Sequence, residues 1–283
     1  MEVKSWLTGC RGVSLPFSDF SGPLWIRPEH SRSVYQALLE LASGRKWKHL
    51  EIRAGGIPPL GAASFRTYQS HQLDLGRGIK AIEKGLHPSV GRAIRKAERG
   101  GIAVTVERSA EAMNSFYELH SRTRRRHGLP PQPVGFFRAI SKNLIEADLG
   151  RIVLAKLGDV PIAGAVFLHS GGNAVYKYGA SDTAHWPMRP NHLIMWTAIR
   201  HLVESGFKSL HFGRTAATDE GLIRFKLSWG AVSEPLPYFR YNGSGHAWLT
   251  EKPQSDESRP MPFRHLPLII NRLAGRLIYP HLD

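Results

Sequence analysis

The chain has 283 residues, 42% of them hydrophobic and 10% aromatic, and a formal net charge of +15. That length holds core material for one large or two smaller globular units, and the basic balance suits an anionic partner such as nucleic acid, a nucleotide or lipid headgroups, unless it serves solubility alone. The one cysteine, Cys10, excludes an intrachain disulfide, the 14 histidines lack metal-ligand spacing, and no apolar run reaches bilayer length, so neither a metal site nor a membrane span is expected and the expected location is cytoplasmic.

Residues 1–30 read as irregular, because Pro16, Pro23 and Pro28 interrupt any long helix. From Ser31, the stripe Val34, Leu38 and Leu41 predicts a helix ending at Ser43–Gly44. Alternation over residues 47–52 and the run Phe65–Leu73 predict two strands, with a turn at Pro58–Pro59 between them. Pro88–Arg99 predicts a helix with Val90, Ile94 and Ala97 on one side and Arg92, Arg95, Lys96 and Arg99 on the other. Gly100–Gly101 ends it before a strand over Ile102–Val106.

Ser109 is placed to cap a helix that ends in Arg122, Arg124, Arg125 and Arg126, cations suited to the negative end of a helix dipole. A helix containing Phe136, Phe137, Ile140 and Leu144 follows, then three strands over residues 151–156, 162–169 and 174–178. Arg189–Pro190 opens an apolar helix that stops at Ser205–Gly206. Residues 207–230, FKSLHFGRTAATDEGLIRFKLSWG, then read as strand, GRT break, polar loop and a helix capped by Thr218. Within that helix Leu222, Phe225 and Lys226 share a side, with Leu222 and Phe225 expected in the core. A last strand ends near Tyr241, and Asn242–Pro262 reads as a polar linker. Beyond it, Leu266, Ile269, Ile270, Leu273 and Leu277 form one apolar face with Arg264, Arg272 and Arg276 off it. That pattern fits either a helix docked on the body or a basic amphipathic helix lying on an anionic membrane.

The two joints echo each other. Ser43–Gly44 leads to Trp47–Lys48 with Leu50 and Ile52, as Ser205–Gly206 leads to Phe207–Lys208 with Leu210 and Phe212. Such joints predict equivalent helix–strand corners in two α/β units.

LDL at residues 73–75, IRKAERGGI at 94–102, YKYGASD at 176–182, RPNHLIMWTAI from Arg189 and FGRT with GLIRFKLSWG from Phe212 resemble the Fem-type family. These are peptidoglycan aminoacyltransferases and relatives with a BioF2-like acetyltransferase domain. The likeness is greatest to the FemAB-like branch found beside exosortase and exopolysaccharide gene clusters. The resemblance implies an α/β fold of tandem GNAT-like acyltransferase lobes, the first abbreviated, with a C-terminal amphipathic helix. The corresponding units are 1–107, 108–241, a linker 242–262 and a helical tail 263–283. It implies an aminoacyl or acyl transferase that forms an amide on an amine of a cell-envelope precursor. The expected donor is aminoacyl-tRNA as co-substrate, with no other cofactor. Two departures stand out: no coiled-coil arm is visible, and the first unit is short.

The chemistry needs a neutral amine, an oxyanion site and a held leaving group. Lys226 fits the charge stabiliser, matching the family's Phe-Lys pair, or else is a surface lysine on an amphipathic helix. Asp182 fits a proton acceptor for the amine, or a turn residue. Tyr178 fits a hydroxyl near the leaving oxygen, or strand packing, and N–H groups at Tyr178–Ala180 an oxyanion hole. Phe225, Arg214, Arg189, His192 and Trp229 are the expected substrate-binding residues. The segment HWPMRPNHL before the apolar helix has no glycine, which weighs against the pyrophosphate cradle of CoA-using lobes. Acyl-CoA remains the alternative donor, and a non-catalytic nucleic-acid or membrane-surface binder the alternative class. The basic Arg92–Arg99 face and Arg122–Arg126 cluster fit a phosphate backbone. Peripheral contact with the inner face of a membrane is expected through the tail.

Overall fold

The computed structural model describes residues 1–53, 56–250 and 262–282. The first half contains strands β1 (Glu2–Ser5) and β2 (Gly9–Val13), helix α1 (Ser31–Gly44), β3 (His49–Arg53), β4 (Arg66–Asp74), α2 (Ile79–Gly85) and α3 (Pro88–Arg99). Next come β5 (Ile102–Glu107), α4 (Ala110–Arg126), α5 (Val134–Ile140), β6 (Gly150–Leu157), β7 (Val160–Ser170) and β8 (Asn173–Ser181). The chain continues through α6 (Pro190–Glu204), β9 (Ser209–His211), β10 (Thr215–Ala216), α7 (Glu220–Leu227), β11 (Val232–Asn242), β12 (Ala247–Leu249) and α8 (Leu268–Ile278).

The strands form one mixed sheet in the order β1-β2-β3-β11-β4-β9-β8-β7-β6-β5, with β10 and β12 beside β4 and β11. Each helix–strand joint feeds a parallel strand: α1 lies between parallel β2 and β3, and α6 between parallel β8 and β9. The next neighbour is antiparallel in both places, β11 beside β3 and β4 beside β9.

The main core is built from α3, α6 and one sheet face, around Ile94, Ile199, Leu210 and Trp229. A second core lies on the other face, where Phe116, Met113 and Phe137 of α4 and α5 pack on Ile152 and Val166. A third joins Tyr35, Trp47, Leu50 and Phe239 at the far end.

Several expectations are corrected by these contacts. The first residues are a β-hairpin, stabilised by pairing that a local pattern does not reveal. In α1 the buried residues are Tyr35 and Ala42, whereas Val34 and Leu41 are each 47% exposed. The helix α2 was not anticipated, being only 7 residues long and opened by Gly78. Asp219, not Thr218, caps α7, its carboxylate accepting from the Leu222 N–H at 3.0 Å. Leu222 is 37% exposed and Phe225 only partly buried. β5, assigned above to the first unit, pairs with β6 at the opposite end of the sheet. The start of the expected linker folds back, β12 pairing with the end of β11, while residues 251–261 of it lie outside the described residues.

α8 shows the first of the two expected behaviours, docking on the body. It docks through buried Asn271 and Gly275, with Arg272 paired to Glu118 at 2.7 Å, and leaves Ile269, Leu273 and Leu277 exposed. A Cβ on Gly275 would lie 2.0 Å from the Pro131 carbonyl oxygen, so the helix rests directly on backbone. On an isolated helix Gly→Ala stabilises by about 0.5–1 kcal/mol. Here the clash reverses the sign: Gly275→Ala is expected to destabilise by about 1–3 kcal/mol, read from urea unfolding.

Candidate active site

β8 and β9 separate soon after they meet. Their parallel pairing covers Asn173–Val175 against Ser209–His211, after which β9 is held by β4 and the edge of β8 from Tyr176 to Ser181 diverges from it. The β7–β8 register also shifts, Val166 facing Tyr178 while Phe167 faces Tyr176, so Lys177 is the extra residue of a bulge. Gly213 then turns the chain away with φ +73°, where a Cβ would meet the Asp19 carboxylate at 3.0 Å. This splay is the main-chain setting of the candidate site.

On the α6 side, a cavity of about 310 Å³ opens at the start of that helix. Tyr176, His192 and Phe225 line it, with Trp186 and Arg189 at its edge. The Phe225 and His192 rings meet edge to face at 5.5 Å, and Trp229 backs both at 6.1 Å. Burial and the nearby Arg189 charge push the His192 imidazole down to about 4, so it is neutral at pH 7. Burial pushes the Tyr176 phenol up to about 12, which keeps its proton available for donation. A Cβ on Gly179 would lie 1.8 Å from the Tyr176 hydroxyl oxygen, so that glycine makes the space in which the hydroxyl sits. Arg189, the residue before α6, holds a left-handed φ of +65°, a strained conformation for a side chain of its size.

On the α5 side, the segment after β2 crosses the splay. Lys177 Nζ donates to the Phe17 carbonyl at 2.7 Å and lies 3.8 Å from the Asp19 carboxylate. Arg214 Nε is 3.9 Å from the same carboxylate, and its guanidinium lies over the rings of Tyr68 at 4.5 Å and Tyr238 at 5.3 Å. The Tyr238 hydroxyl donates to the Asp19 carbonyl oxygen. His211 accepts from the Gly213 N–H at 2.9 Å and exchanges a hydrogen bond with Ser70 at 2.8 Å; burial brings it down to about 4, hence neutral.

Of the expected site residues, Arg189, His192 and Phe225 converge on the cavity. Trp229 is fully buried and supports their rings from behind, so it has no surface for substrate. Lys226 is not a surface lysine: it is 2% exposed, and Nζ donates to Gly213 O at 2.8 Å, Thr215 Oγ1 at 2.7 Å and Arg214 O at 3.3 Å. It clamps the loop that leaves β9. Arg214 belongs to the Asp19 network across the splay. Asp182 stands apart as the cap of the following turn, accepting from the Ala184 N–H at 3.0 Å. The Tyr178 ring packs among Phe136, Phe137 and His120 on the α4 side, away from the cavity. Tyr176, Lys177 and Asp19 were missed. Tyr176 lay within a quoted motif, but Asp19 sat in a stretch without periodicity and joins the site only through long-range pairing.

Residues 87–227 match the acetyltransferase (GNAT) domain family. The chain carries a GNAT acyltransferase domain. It is also 27% identical over 106 residues to the lipid II:glycine glycyltransferase of Staphylococcus epidermidis, a match covering 35% of this chain and 26% of that protein. The Staphylococcus aureus enzyme of the same name is 31% identical over 110 residues, covering 36% of this chain and 26% of that protein. The match therefore spans about a quarter of the length of those relatives. Among solved structures, FemX superposes with a TM-score of 0.61 at 15% identity, covering 83% of this chain and 81% of that one. L-PGS from Bacillus licheniformis gives 0.52 at 14% identity, covering 88% and 80%. The GNAT domain is thus distantly related to the Fem-type glycyltransferases, and its mixed α/β sheet is the shared fold.

Burial of Lys226 gives a pH signature. Its ammonium titrates at about 8 rather than 10.5, so the unfolded chain binds more protons between those values and stability rises with pH across them. The rise amounts to at most about 3 kcal/mol. Urea unfolding of wild type at successive pH values is expected to show it, and Lys226→Met to remove it.

Proposed function

We propose that the chain transfers an acyl or aminoacyl group from an activated ester to an amine of a cell-envelope precursor. The splay of β8 from β9, opening beside a cavity that holds a protonated tyrosine and a neutral histidine, is the observation that carries this reading. The donor carbonyl would lie against the free edge of β8, whose N–H groups offer oxyanion contacts. A neutral acceptor amine attacks that carbon, the new C–N bond forms and the C–O bond of the ester breaks. Tyr176 gives its proton to the departing oxygen and regains one from the amine, which loses its excess proton.

The connection between β8 and α6 supports an aminoacyl-tRNA type of donor over acyl-CoA. The Ala184, His185, Arg189 and His192 N–H groups are engaged by Asp182, Asp182, Trp186 and Arg189 respectively, while Pro187 and Pro190 have none. That leaves a poor cradle for a pyrophosphate. The GNAT family match itself favours the second reading, an acyl-CoA-dependent N-acyltransferase.

The architecture is consistent with two interlocked GNAT-like lobes, the first abbreviated. The parallel pairs β2–β3 and β8–β9 are their equivalent corners, and β4 and β11 are exchanged between them. The tail fits peripheral attachment to the cytoplasmic face of an anionic bilayer. No helix among the described residues is long and apolar enough to cross a membrane. The exposed ridge Ile269, Leu273 and Leu277 steps by four residues towards His281, whose ring touches Trp6 edge-on at 5.3 Å, and Trp6 is 85% exposed. Tryptophan beside an apolar helical ridge suits a membrane interface.

Mass spectrometry of mixtures offering aminoacyl-tRNA or acyl-CoA to amine-bearing lipid-linked precursors identifies the donor. With the productive pair, Tyr176→Phe is expected to lower kcat about a hundredfold with KM little changed. Full turnover in a folded Tyr176→Phe protein would overturn the proton-donor role. For the tail, replacing Leu273 and Leu277 together by Asp is expected to abolish co-sedimentation with anionic vesicles and leave the unfolding midpoint unchanged.

A further inference from the structure

We propose that the cavity at the start of α6 receives the side chain of the transferred group and selects a bulky apolar acyl or aminoacyl residue over a glycyl or a charged one. This selectivity presupposes the transferase reading above. Tyr176 joins the cavity to the diverging edge of β8, so the substituent on a carbonyl held along that edge has the cavity beside it. The buried wall is apolar, formed by Ala165 of β7 with Ile194 and Met195 of α6. Phe225 makes a side wall, and Leu222 and Trp186 stand at the mouth, 37% and 45% exposed.

The polar groups around this cavity are engaged elsewhere or uncharged, Arg189 excepted. The Trp186 N–H donates to Ser181 Oγ at 2.8 Å, and the Asn191 side-chain amide donates to the same oxygen at 3.3 Å. The Tyr176 hydroxyl keeps its proton, and the His192 imidazole is neutral. No acidic residue lines the cavity among the described residues, and Arg189 at its edge supplies the charge. A lysyl side chain would therefore lose hydration near a like charge and gain no counter-ion. A glutamyl side chain would reach a cation only by staying at the edge, which leaves the interior unfilled.

Size points the same way. At about 30 Å³ for each water-sized group, a cavity of about 310 Å³ has room for a branched or aromatic side chain. A glycyl group would leave that space to water and forgo the gain from burying apolar surface. The carrier half of either donor, tRNA or CoA, bears phosphate, which suits the edge with Arg189 better than an apolar interior.

Titration calorimetry of the full chain with stable amide analogues of aminoacyl-adenosine tests the selectivity. The leucyl and phenylalanyl analogues are expected to bind about a hundredfold tighter than the glycyl one, with lysyl and glutamyl no tighter than glycyl. Isovaleryl-CoA and acetyl-CoA make the parallel pair, and on whichever carrier binds, the bulkier apolar group is expected to bind tighter. Ala165→Val narrows the buried wall and is expected to weaken phenylalanyl about tenfold more than leucyl. Leu222→Glu, at the exposed mouth, is expected to raise lysyl affinity about tenfold. An acidic residue there also suits the first turn of α7, so the fold is expected to survive. Should Ala165→Val lose its fold, the order of affinities in wild type and in Leu222→Glu still decides. Affinity that ignores the acyl group overturns the proposal, since the cavity then holds the carrier half. So does tightest binding by glycyl, lysyl or glutamyl, or no saturable binding in either series. Transfer of glycyl as efficient as that of leucyl would sink the selectivity and leave the transferase reading standing. Selective binding without transfer to any amine would count against the transferase reading alone.

Discussion

The structure depends on the backbone pairing of β11. This strand, formed after the whole GNAT domain has been laid down, returns to pair antiparallel with β4 and then with β3. Without it the sheet would divide between β3 and β4, leaving two rows of unpaired amide groups. Pro235 and Pro237 lie within it, which a central strand does not ordinarily tolerate. Both sit where β11 has β4 on one side only, since pairing to β3 begins at Tyr238. Residues two apart point their amide nitrogens the same way, so both imides face the open edge and no ladder bond is lost.

The same interlocking creates the site. β9 has β4 on one edge and β8 on the other, and it follows β4 once β8 bends at its bulge. The splay is therefore a consequence of strand competition rather than of a special loop. Three cations maintain it from opposite sides. Lys226 binds the Gly213 carbonyl and Thr215 from α7, while Lys177 and Arg214 share Asp19 across the gap. Burial works against each of these lysine charges, and for Lys177 it is the Asp19 carboxylate that offsets part of the cost.

Burial also divides the site into acid and neutral components. Tyr176 keeps its proton far above neutral pH, whereas His192 and His211 stay unprotonated well below it. His71 is another buried neutral imidazole, brought down to about 4 by burial and by Lys226. On the proposed transfer, a cavity lined by a neutral histidine and a protonated phenol, with Arg189 as its one charged lining residue among the described residues, suits attack by an uncharged amine. The arginines at the end of α4 line a separate concavity, outside that cavity.

Much was legible in the amino-acid sequence because its signals are local. The bounds of α1 and α3, the Ser109 cap and the strands of the GNAT domain follow from periodicity, glycine stops and hydrogen bonds within a few residues. The motif resemblance located the region that matches the GNAT family and named Arg189, His192 and Phe225, which do share a cavity. Which face of a side chain meets a partner was decided only by tertiary structure. Lys226 looks like any amphipathic-helix lysine until the Gly213 carbonyl and Thr215 are folded beneath it. Tyr176 and Tyr178 are two residues apart, yet the bulge at Lys177 and the packing of α4 send one to the cavity and the other to an aromatic core. Asp19 has no local signature at all. Its role arises because a long-range sheet brings a proline-broken segment against Lys177 and Arg214, and pairing over such distances leaves no period in the sequence to read.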